Sequence, residues 1–264
     1  MMERSRRSFL KALGISTLGI GALSSVDLLA KVGMGEADYL ANSEALIGKR
    51  WALVVDVSKL DEETTQKAIE ACIQAHNIPQ YDDPEEEIKW IWTDKYEHAF
   101  PGQEYDYMVE EIEEKPFLLL CNHCSNPPCV RVCPTKATWQ RADGIVMMDQ
   151  HRCIGCRYCM AGCPFGARSF NWKDAKTTYW KEQEPPNPKY PLRSKGVVEK
   201  CNLCAERLAV GQIPACVEAV QDTRAIVFGD LEDPESEVRE VLQSHFAIRR
   251  KAELGTSPNV YYIV

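Results

Sequence analysis

The fold of this chain is decided by two cysteine-rich runs, Cys121-Asn-His-Cys-Ser-Asn-Pro-Pro-Cys-Val-Arg-Val-Cys-Pro134 and Cys153-Ile-Gly-Cys-Arg-Tyr-Cys-Met-Ala-Gly-Cys-Pro164. The first run spaces its cysteines as C-x2-C-x4-C-x3-C-P and the second as C-x2-C-x2-C-x3-C-P. Because both runs end on Cys-Pro, they form an internal repeat. The second spacing is that of bacterial ferredoxins, in which the fourth cysteine of a run binds the cluster of the other run.

This exchange of ligands assigns all eight cysteines of the two runs. Three thiolates on one tight loop hold three corners of a [4Fe–4S] cluster, and the Cys-Pro turn directs the fourth cysteine to the neighbouring cluster. Cluster A then takes set A, which is Cys121, Cys124, Cys129 and Cys163. Cluster B takes set B, which is Cys153, Cys156, Cys159 and Cys133. Zinc also uses C-x2-C pairs, and disulfides are a further alternative, but neither needs two runs that end on Cys-Pro.

The remaining cysteines predict a third cluster. The pattern Cys201-x2-Cys204-x11-Cys216 supplies three ligands, and Cys72 is the only cysteine near the N-terminus that can supply the fourth. Cluster C then takes set C, which is Cys201, Cys204, Cys216 and Cys72. Three [4Fe–4S] clusters use all 12 cysteines of the chain. The alternative is that Cys72 is a free, buried thiol.

After about residue 50 the chain resembles the iron–sulfur subunits of the dimethyl-sulfoxide, nitrite and polysulfide reductase type. Those subunits carry four cysteine groups and four clusters in two ferredoxin-like modules. Here the first group retains only Cys72, since Ser58-Lys59 is followed by Leu60-Asp-Glu-Glu-Thr-Thr65. The last group runs from Cys216 into Val220 where the family has a cysteine. The resemblance assigns all four missing ligands to one cluster, so one complete ligand set is absent and three remain.

The predicted fold class is α+β, with two ferredoxin-like modules related by pseudo-two-fold symmetry, irregular loops and a C-terminal extension. Within an iron–sulfur domain of residues 50–264, residues 118–180 hold two clusters, and residues 50–80 with 196–225 hold one. Patterning predicts strands, a hairpin turn, helices and a loop. The strands are 51–57, 117–120 and 259–264, the turn is at Asp143-Gly144, the helices are 64–75 and 235–245, and the loop is 179–195.

The N-terminus has the pattern of an export signal. Ser5-Arg-Arg-Ser-Phe-Leu-Lys11 precedes a weakly apolar run over residues 12–30, which is typical of a twin-arginine signal peptide. We therefore expect residues 1–34 to direct export of the folded protein to the periplasm, where it attaches peripherally to the cytoplasmic membrane. An ordinary amphipathic helix is the alternative. Export after folding removes the usual expectation of disulfides in that compartment.

Charge narrows the range of partners. The net charge of −8 argues against nucleic acid, which binds basic surfaces. Residues 82–114 hold 13 acidic residues and two lysines. This acidic window is either a solvated face or a docking surface for a basic cytochrome. The chain contains no Gly-rich phosphate loop, serine nucleophile elbow or C-x-x-C-H haem motif, so we expect a non-catalytic subunit.

Within the family, the signal peptide, the length and the absent first group resemble the periplasmic ferredoxin subunit (DsrO type) of the membrane complex linked to dissimilatory sulfite reduction. This implies two partners in a hetero-oligomeric complex: a multi-spanning quinone-interacting membrane subunit and a periplasmic multihaem c-type cytochrome. The alternatives are an electron-transfer subunit of a molybdopterin reductase or of a periplasmic hydrogenase. A zinc-binding assembly or structural protein is the alternative from another class.

Five further residues lie beside the cysteines. His123 is either a ligand or a hydrogen-bonding residue, and the second role is favoured because cysteines already complete the set. The other four either tune cluster potentials through charge and hydrogen bonds or make ordinary surface contacts. They are Lys136, Arg157, Tyr158 and Arg168.

Overall fold

The computed structural model describes residues 41–103, 107, 109, 112–113 and 115–264. The predicted signal peptide lies outside the described residues. The strands in the described part are β1 (Trp51–Asp56), β2 (Ile91–Asp94), β3 (Phe117–Leu120), β4 (Thr138–Gln140), β5 (Val146–Met148), β6 (Ser169–Phe170), β7 (Val198–Glu199), β8 (Ile226–Asp230), β9 (Ala247–Ile248) and β10 (Val260–Ile263). The helices there are α1 (Glu62–His76), α2 (Tyr96–Ala99), α3 (Pro128–Arg131), α4 (Tyr158–Ala161), α5 (Ala205–Leu208), α6 (Ala215–Glu218) and α7 (Glu237–Ser244).

A four-stranded sheet of order β8-β1-β10-β9 joins the two ends of the described chain. Strand β1 pairs antiparallel with β8 and parallel with β10, with Leu53 opposite Phe228 and Val260. All six residues of β1 are buried, as expected of a central strand. The predicted strand over 51–57 is thus confirmed up to Asp56, whose carboxylate accepts a hydrogen bond from the amide of Ser58 and starts a 3₁₀ turn.

Helix α1 carries Cys72 into the interior. The Asp61 carboxylate accepts a 2.7 Å hydrogen bond from the amide of Thr64 and caps the first turn. The helix ends at Asn77, which has a left-handed backbone (φ 51°). Ala68 and Cys72 are buried one turn apart on the face that packs against α6. The predicted helix over 64–75 is confirmed with slightly wider bounds.

Short hairpins build the cysteine-rich part. Strands β4 and β5 pair antiparallel around Gly144, which has a φ of 85°, and this confirms the hairpin predicted at Asp143-Gly144. The hairpin connects the two cysteine runs. Strands β6 and β7 pair antiparallel and bring residues 169–170 beside residues 198–199. No helix or strand interrupts residues 179–195, as predicted for the proline-containing loop.

The two faces of β1 pack into different hydrophobic clusters. Leu53 and Val55 belong to the main core, whereas Ala52 and Val54 pack with α7 residues in a second, smaller cluster. This follows from the period of two along a strand. The acidic window also contributes to the main core, since Trp90, Tyr96 and Phe100 are buried there. Its described part is therefore folded into the protein rather than detached from it.

The observed architecture is a mixed α/β fold with a ferredoxin-like cysteine region. Residues 41–264 fall within one compact unit, so the division into two symmetry-related modules stays a prediction. Among the residues that the structure describes, no helix combines the length and the apolar character needed to cross a bilayer.

Candidate metal centres

The candidate site consists of the twelve cysteines, which all have free thiols. Eight are buried and Cys156 alone is exposed, with Cys133, Cys153 and Cys163 between these extremes. Burial of so many thiols away from water favours metal ligation over surface chemistry.

Three of the four C-x2-C pairs, those that begin at Cys121, Cys153 and Cys201, share one backbone feature. The residue before the second cysteine has a positive φ in each loop: 39° at His123, 70° at Gly155 and 57° at Leu203. At Gly155 a Cβ atom would lie 2.4 Å from the carbonyl oxygen of Gly196, so only glycine fits there. The conformation turns the chain tightly around the space that both cysteines of a loop face.

The two Cys-Pro turns also match each other. The third residue after each final cysteine has a positive φ, 55° at Lys136 and 65° at Gly166. The repeat that the sequence shows between the two runs therefore extends to backbone geometry. Short helices then follow or carry the cysteines, with Cys129 on α3, Cys159 on α4 and Cys216 on α6.

The cysteines of set A interact electrostatically with one another. The pKa of the Cys124 thiol is raised to about 12, mainly by burial and then by the charge of Cys121, with Cys163 and Cys129 adding smaller effects. Cys163 comes from the second run and the other three from the first. The structure therefore brings together the four residues that ligand exchange assigns to cluster A.

Set B lines a single small cavity. The cavity wall includes all four of its cysteines, Cys133, Cys153, Cys156 and Cys159. The backbone amide of Val198, on β7, donates a hydrogen bond to the Cys153 sulfur at 3.4 Å. Such N–H···S contacts stabilise negative charge on sulfur. The cavity lies between the second run and the last cysteine of the first, as the exchange predicts.

Set C joins residues that are far apart in sequence. Burial raises the pKa of the Cys72 thiol well above its usual value, and the charges of Cys201, Cys216 and Cys204 raise it further, in that order. Two backbone amides donate to this set at 3.4 Å, from Leu203 to the Cys201 sulfur and from Ala215 to the Cys204 sulfur. Cys72 is buried in the structure, and it lies beside the three cysteines predicted to share its cluster.

The three sets follow one another in the order B, A, C. After burial, the Cys121 charge is the largest influence that raises the pKa of Cys201, to about 12, which places set A beside set C. Cys129 of set A likewise raises the pKa of Cys159 of set B. Set A therefore lies between the other two.

The spacing of the thiols discriminates between a single metal ion and a larger cluster. Zinc binds thiolate sulfur at about 2.3 Å, so two thiolates on one ion lie at most about 4.6 Å apart. No three of the twelve thiols, all of which the structure describes, come within 4.8 Å of one another. The described thiols are therefore not gathered around single zinc ions, which favours a larger cluster that holds its ligands farther apart.

The position of the missing fourth set is packed with side chains. Val220, which stands where the family has its last cysteine, is fully buried in the main core. Leu60 and Ala68, in the segment that lacks the first three cysteines, belong to the same core. The twelve cysteines leave no ligands for a fourth set, and apolar side chains occupy the place where the resemblance implies one.

His123 is a hydrogen-bonding residue in this structure. Its Nδ1 accepts a 3.1 Å hydrogen bond from the amide of Val146, so that nitrogen is unprotonated. Burial and the charges of Lys200 and Arg168 hold its pKa well below the usual value, which keeps the ring neutral. The C-terminal segment braces the same loop, because Asn259 Nδ2 donates to the His123 carbonyl oxygen at 2.7 Å.

The remaining candidates divide between surface and interior. Arg157 and Tyr158 are exposed, and the Arg157 guanidinium lies 4.9 Å from the Trp172 ring centroid. Lys136 is also exposed, whereas Arg168 is buried near the cysteines.

Sequence reasoning missed a polar network next to set C. His76, one turn after Cys72, lies 2.8 Å from a carboxylate oxygen of Glu206 and stacks against Trp90 at 4.5 Å. The buried pair Arg193–Glu199 (2.7 Å) extends this network. The i, i+4 spacing of Cys72 and His76 on a predicted helix was the available signal. Sequence reasoning also missed Lys200, which immediately precedes Cys201.

The chain is similar to known iron–sulfur proteins. Residues 115–181 match the family model described as a 4Fe-4S dicluster domain. The chain is 37% identical to "Hdr-like menaquinol oxidoreductase iron-sulfur subunit 1" of Archaeoglobus fulgidus, over 98% of this chain and 97% of that protein. It is 32% identical to a tetrathionate reductase subunit of Salmonella typhimurium, over 99% and 89%. It is 34% identical to the iron–sulfur cluster-binding subunit of menaquinone reductase of Nitratidesulfovibrio vulgaris, over 81% and 88%.

The assignment of Cys72 is testable by substitution. We expect Cys72→Ser and Cys201→Ser to abolish the same electron paramagnetic resonance (EPR) signal, because both side chains would ligate cluster C. Cys156→Ser is the matched control and should remove a different signal. Reduced samples of the three variants, compared with the wild type, decide the matter. Retention of every signal in Cys72→Ser would contradict the assignment and identify Cys72 as a free thiol.

Proposed function

Because the chain belongs to the family of iron–sulfur electron-transfer subunits of quinone-linked reductase complexes, we propose that it relays electrons through three [4Fe–4S] clusters. The relay runs between a multi-spanning quinone-interacting membrane subunit and a periplasmic multihaem c-type cytochrome. The observation that carries the proposal is that the twelve described thiols fall into three groups of four, with no three thiols within 4.8 Å of one another.

The number three rests on two features of the described residues. Each set contains four cysteines, and the electrostatic order of the sets is continuous from B through A to C. Where a fourth set would complete the family pattern, Val220 and Leu60 lie in the hydrophobic core. Hydrophobic packing at that place supports a three-cluster relay over a partly assembled fourth cluster.

The chain fixes the positions of the clusters, excludes water from around them and supplies polar groups that stabilise their charge. Each bound [4Fe–4S] cluster accepts and donates one electron. The buried cysteines fix where those electrons reside, and the surrounding core excludes water, which limits the solvent reorganisation that accompanies a change of charge. Backbone amides that donate to Cys153, Cys201 and Cys204 hold the sulfurs in place and stabilise their negative charge.

Set B is one terminus of the proposed relay. Cys156 is exposed and the neighbouring surface carries the exposed apolar side chains of Ile154, Tyr158 and Trp172. Exposed apolar residues near a redox centre are typical of a partner interface. A partner seated there approaches set B more closely than either of the other sets, because set A lies behind it.

The complex that the chain serves is proposed from the resemblance together with the names of its relatives. Two relatives are named for menaquinol or menaquinone, which supports a quinone-linked partner. The absent terminal set favours the sulfite-reduction-linked type with its cytochrome partner. A relay for a molybdopterin reductase is the second candidate, since the relatives also include chains of tetrathionate reductase and selenate reductase. A periplasmic hydrogenase complex is a further alternative without a specific observation in its favour.

Metal content tests the relay itself. We expect the purified protein, prepared without oxygen, to contain about twelve iron and about twelve acid-labile sulfide per chain, since each cubane holds four of each. Elemental analysis and sulfide assay on one sample give both numbers. Zinc in place of iron, with no sulfide, would contradict the relay function and support a zinc-binding assembly or structural protein.

Co-purification tests the partners. We expect a tagged chain, extracted from its native membrane in mild detergent, to retain a quinone-interacting membrane subunit and a protein with the absorption of c-type haem. Mass spectrometry of the complex and its haem spectrum are the measurements. Recovery of a molybdopterin subunit without cytochrome would replace this assignment with the second candidate.

Export tests the proposed location, which depends on the pattern around Arg6 and Arg7. We expect Arg6→Lys with Arg7→Lys to retain the protein in the cytoplasm, because the twin-arginine route reads that pair. Fractionation followed by immunoblotting is the measurement, and Lys11→Arg, which lies outside the pair, is the control. Export of the double variant at the wild-type level would contradict a periplasmic location by this route.

A further inference from the structure

Arg168 and Lys200 are buried basic side chains beside the cysteines, and like Arg250 they form no ion pair with a carboxylate among the described residues. Arg168 is 5% exposed and Lys200 is 2% exposed. In the part of the chain that the structure describes, their hydrogen bonds go to neutral groups, and neither forms an ion pair with a carboxylate. By contrast, the equally buried Arg193 pairs with Glu199 at 2.7 Å. A buried cation without a counter-charge is strongly unfavourable, so the native protein must supply negative charge nearby.

Arg168 lies between set A and set B. Its Nη1 donates to Thr138 Oγ1 at 3.2 Å and contacts the Met148 sulfur at 3.7 Å, which fixes the guanidinium against the β4–β5 hairpin. Its Nη2 is buried and has no hydrogen-bond partner among the described residues. Met148 packs against a buried cluster that contains both Cys129 and Cys159, and the Arg168 charge also interacts with Cys129, Cys159 and Cys121. Cys129 and Cys121 belong to set A, and Cys159 belongs to set B.

Lys200 occupies the corresponding place between set A and set C. Its Nζ donates to the carbonyl oxygens of Val146 and Cys201, the second at 2.6 Å. Val146 in turn donates its backbone amide to Nδ1 of His123, in the first loop of set A, at 3.1 Å. Cys201 also interacts with Cys121 of set A. The ammonium group is therefore held where these two sets adjoin.

We propose that Arg168 and Lys200 are charge-compensating residues, one in each gap between neighbouring clusters: Arg168 between clusters A and B, and Lys200 between clusters A and C. The proposal rests on the relay function and adds to it a positioning role for two side chains. It explains why two buried cations lack carboxylate partners, since the counter-charge comes from the thiolates and from the sulfide of the bound clusters.

The placement has a defined consequence for electron transfer. A cluster with four thiolate ligands is negative, and reduction makes it more negative. A cation near two clusters stabilises the added electron on either one, which raises both potentials together and changes their difference little. Each cation therefore acts on a pair of clusters, whereas a charge at the end of the relay would act on one.

Neutral substitutions separate the two positions. We expect Arg168→Met to shift clusters A and B toward the oxidised state and to leave cluster C near its wild-type potential. Lys200→Met should shift A and C and leave B. For each affected cluster we expect the oxidised-to-reduced equilibrium to change at least tenfold, which is about 59 mV for a one-electron couple. EPR-monitored redox titration of the full chain is the measurement, with signals assigned through Cys124→Ser, Cys156→Ser and Cys72→Ser.

Two control variants distinguish an effect of lost charge from an effect of altered structure. Arg157→Met removes a cation next to Cys156 that is exposed to solvent, and screening should reduce its effect well below that of Arg168→Met. Arg168→Lys retains a positive charge and should restore most of the potential that Arg168→Met loses. Should Arg168→Met fail to fold, Lys200→Met carries the test, since it predicts its own pattern of two shifted clusters.

The outcomes distinguish this inference from the relay function. Twelve iron in the wild type with unshifted potentials in both neutral variants would overturn the inference and leave the relay intact. An equal shift of all three clusters would also overturn it, because that reports a general loss of structure. A wild-type protein without iron and sulfide would overturn the relay function, and the inference with it.

Discussion

The constraint on which the rest of this structure depends is the electrostatic cost of negative charge in a dry interior. Burial raises the pKa of thiols in all three sets, so without metal these sulfurs favour the protonated form. A bound cluster replaces those protons and brings its own negative charge into the same low-dielectric region. The fold answers with amide donors to sulfur and with the buried side chains of Arg168 and Lys200. Together, these amide donors and buried cations stabilise negative charge in the interior, where water cannot.

Local and long-range structure contribute differently to the three sets. Sets A and B are built almost wholly from tight loops around one hairpin, where positive φ at His123 and Gly155 bends the chain. Set C needs the whole fold, because Cys72 must reach residues more than a hundred positions away. Helix α1 achieves this by following β1 and packing on α6. Strand β10 then pairs with β1, and the segment before it holds the Cys121–Cys124 loop through Asn259. The C-terminal segment thus links set A to the sheet that positions α1.

Sequence patterns predicted what local chemistry dictates and missed what depends on distant contacts. Cysteine spacing, the Asp143-Gly144 turn and the apolar run at 51–56 each report a local requirement, and the structure has the hairpin and strand they indicate. Arg168 was recognised only as a neighbour of the second run, because its position between two sets depends on the pairing of β4 with β5. Lys200 and the His76–Glu206 pair were missed for the same reason: a charged residue in sequence is normally exposed, and only the tertiary structure shows that these are enclosed.

Val220 stands where the resemblance implies a further cysteine, and the packing around it is hydrophobic. A family member that lost one or two of four ligands would keep a charged, partly assembled centre, or a polar cavity, in its interior. Here Leu60 and Ala68, before Cys72, and Val220, two residues after α6, all belong to one hydrophobic core. Cys72 and Cys216 are retained because each belongs to a different ligand set from the cysteines that are missing beside it. Apolar side chains therefore occupy the place where the resemblance implies the ligands of a fourth cluster, and their burial stabilises the fold there.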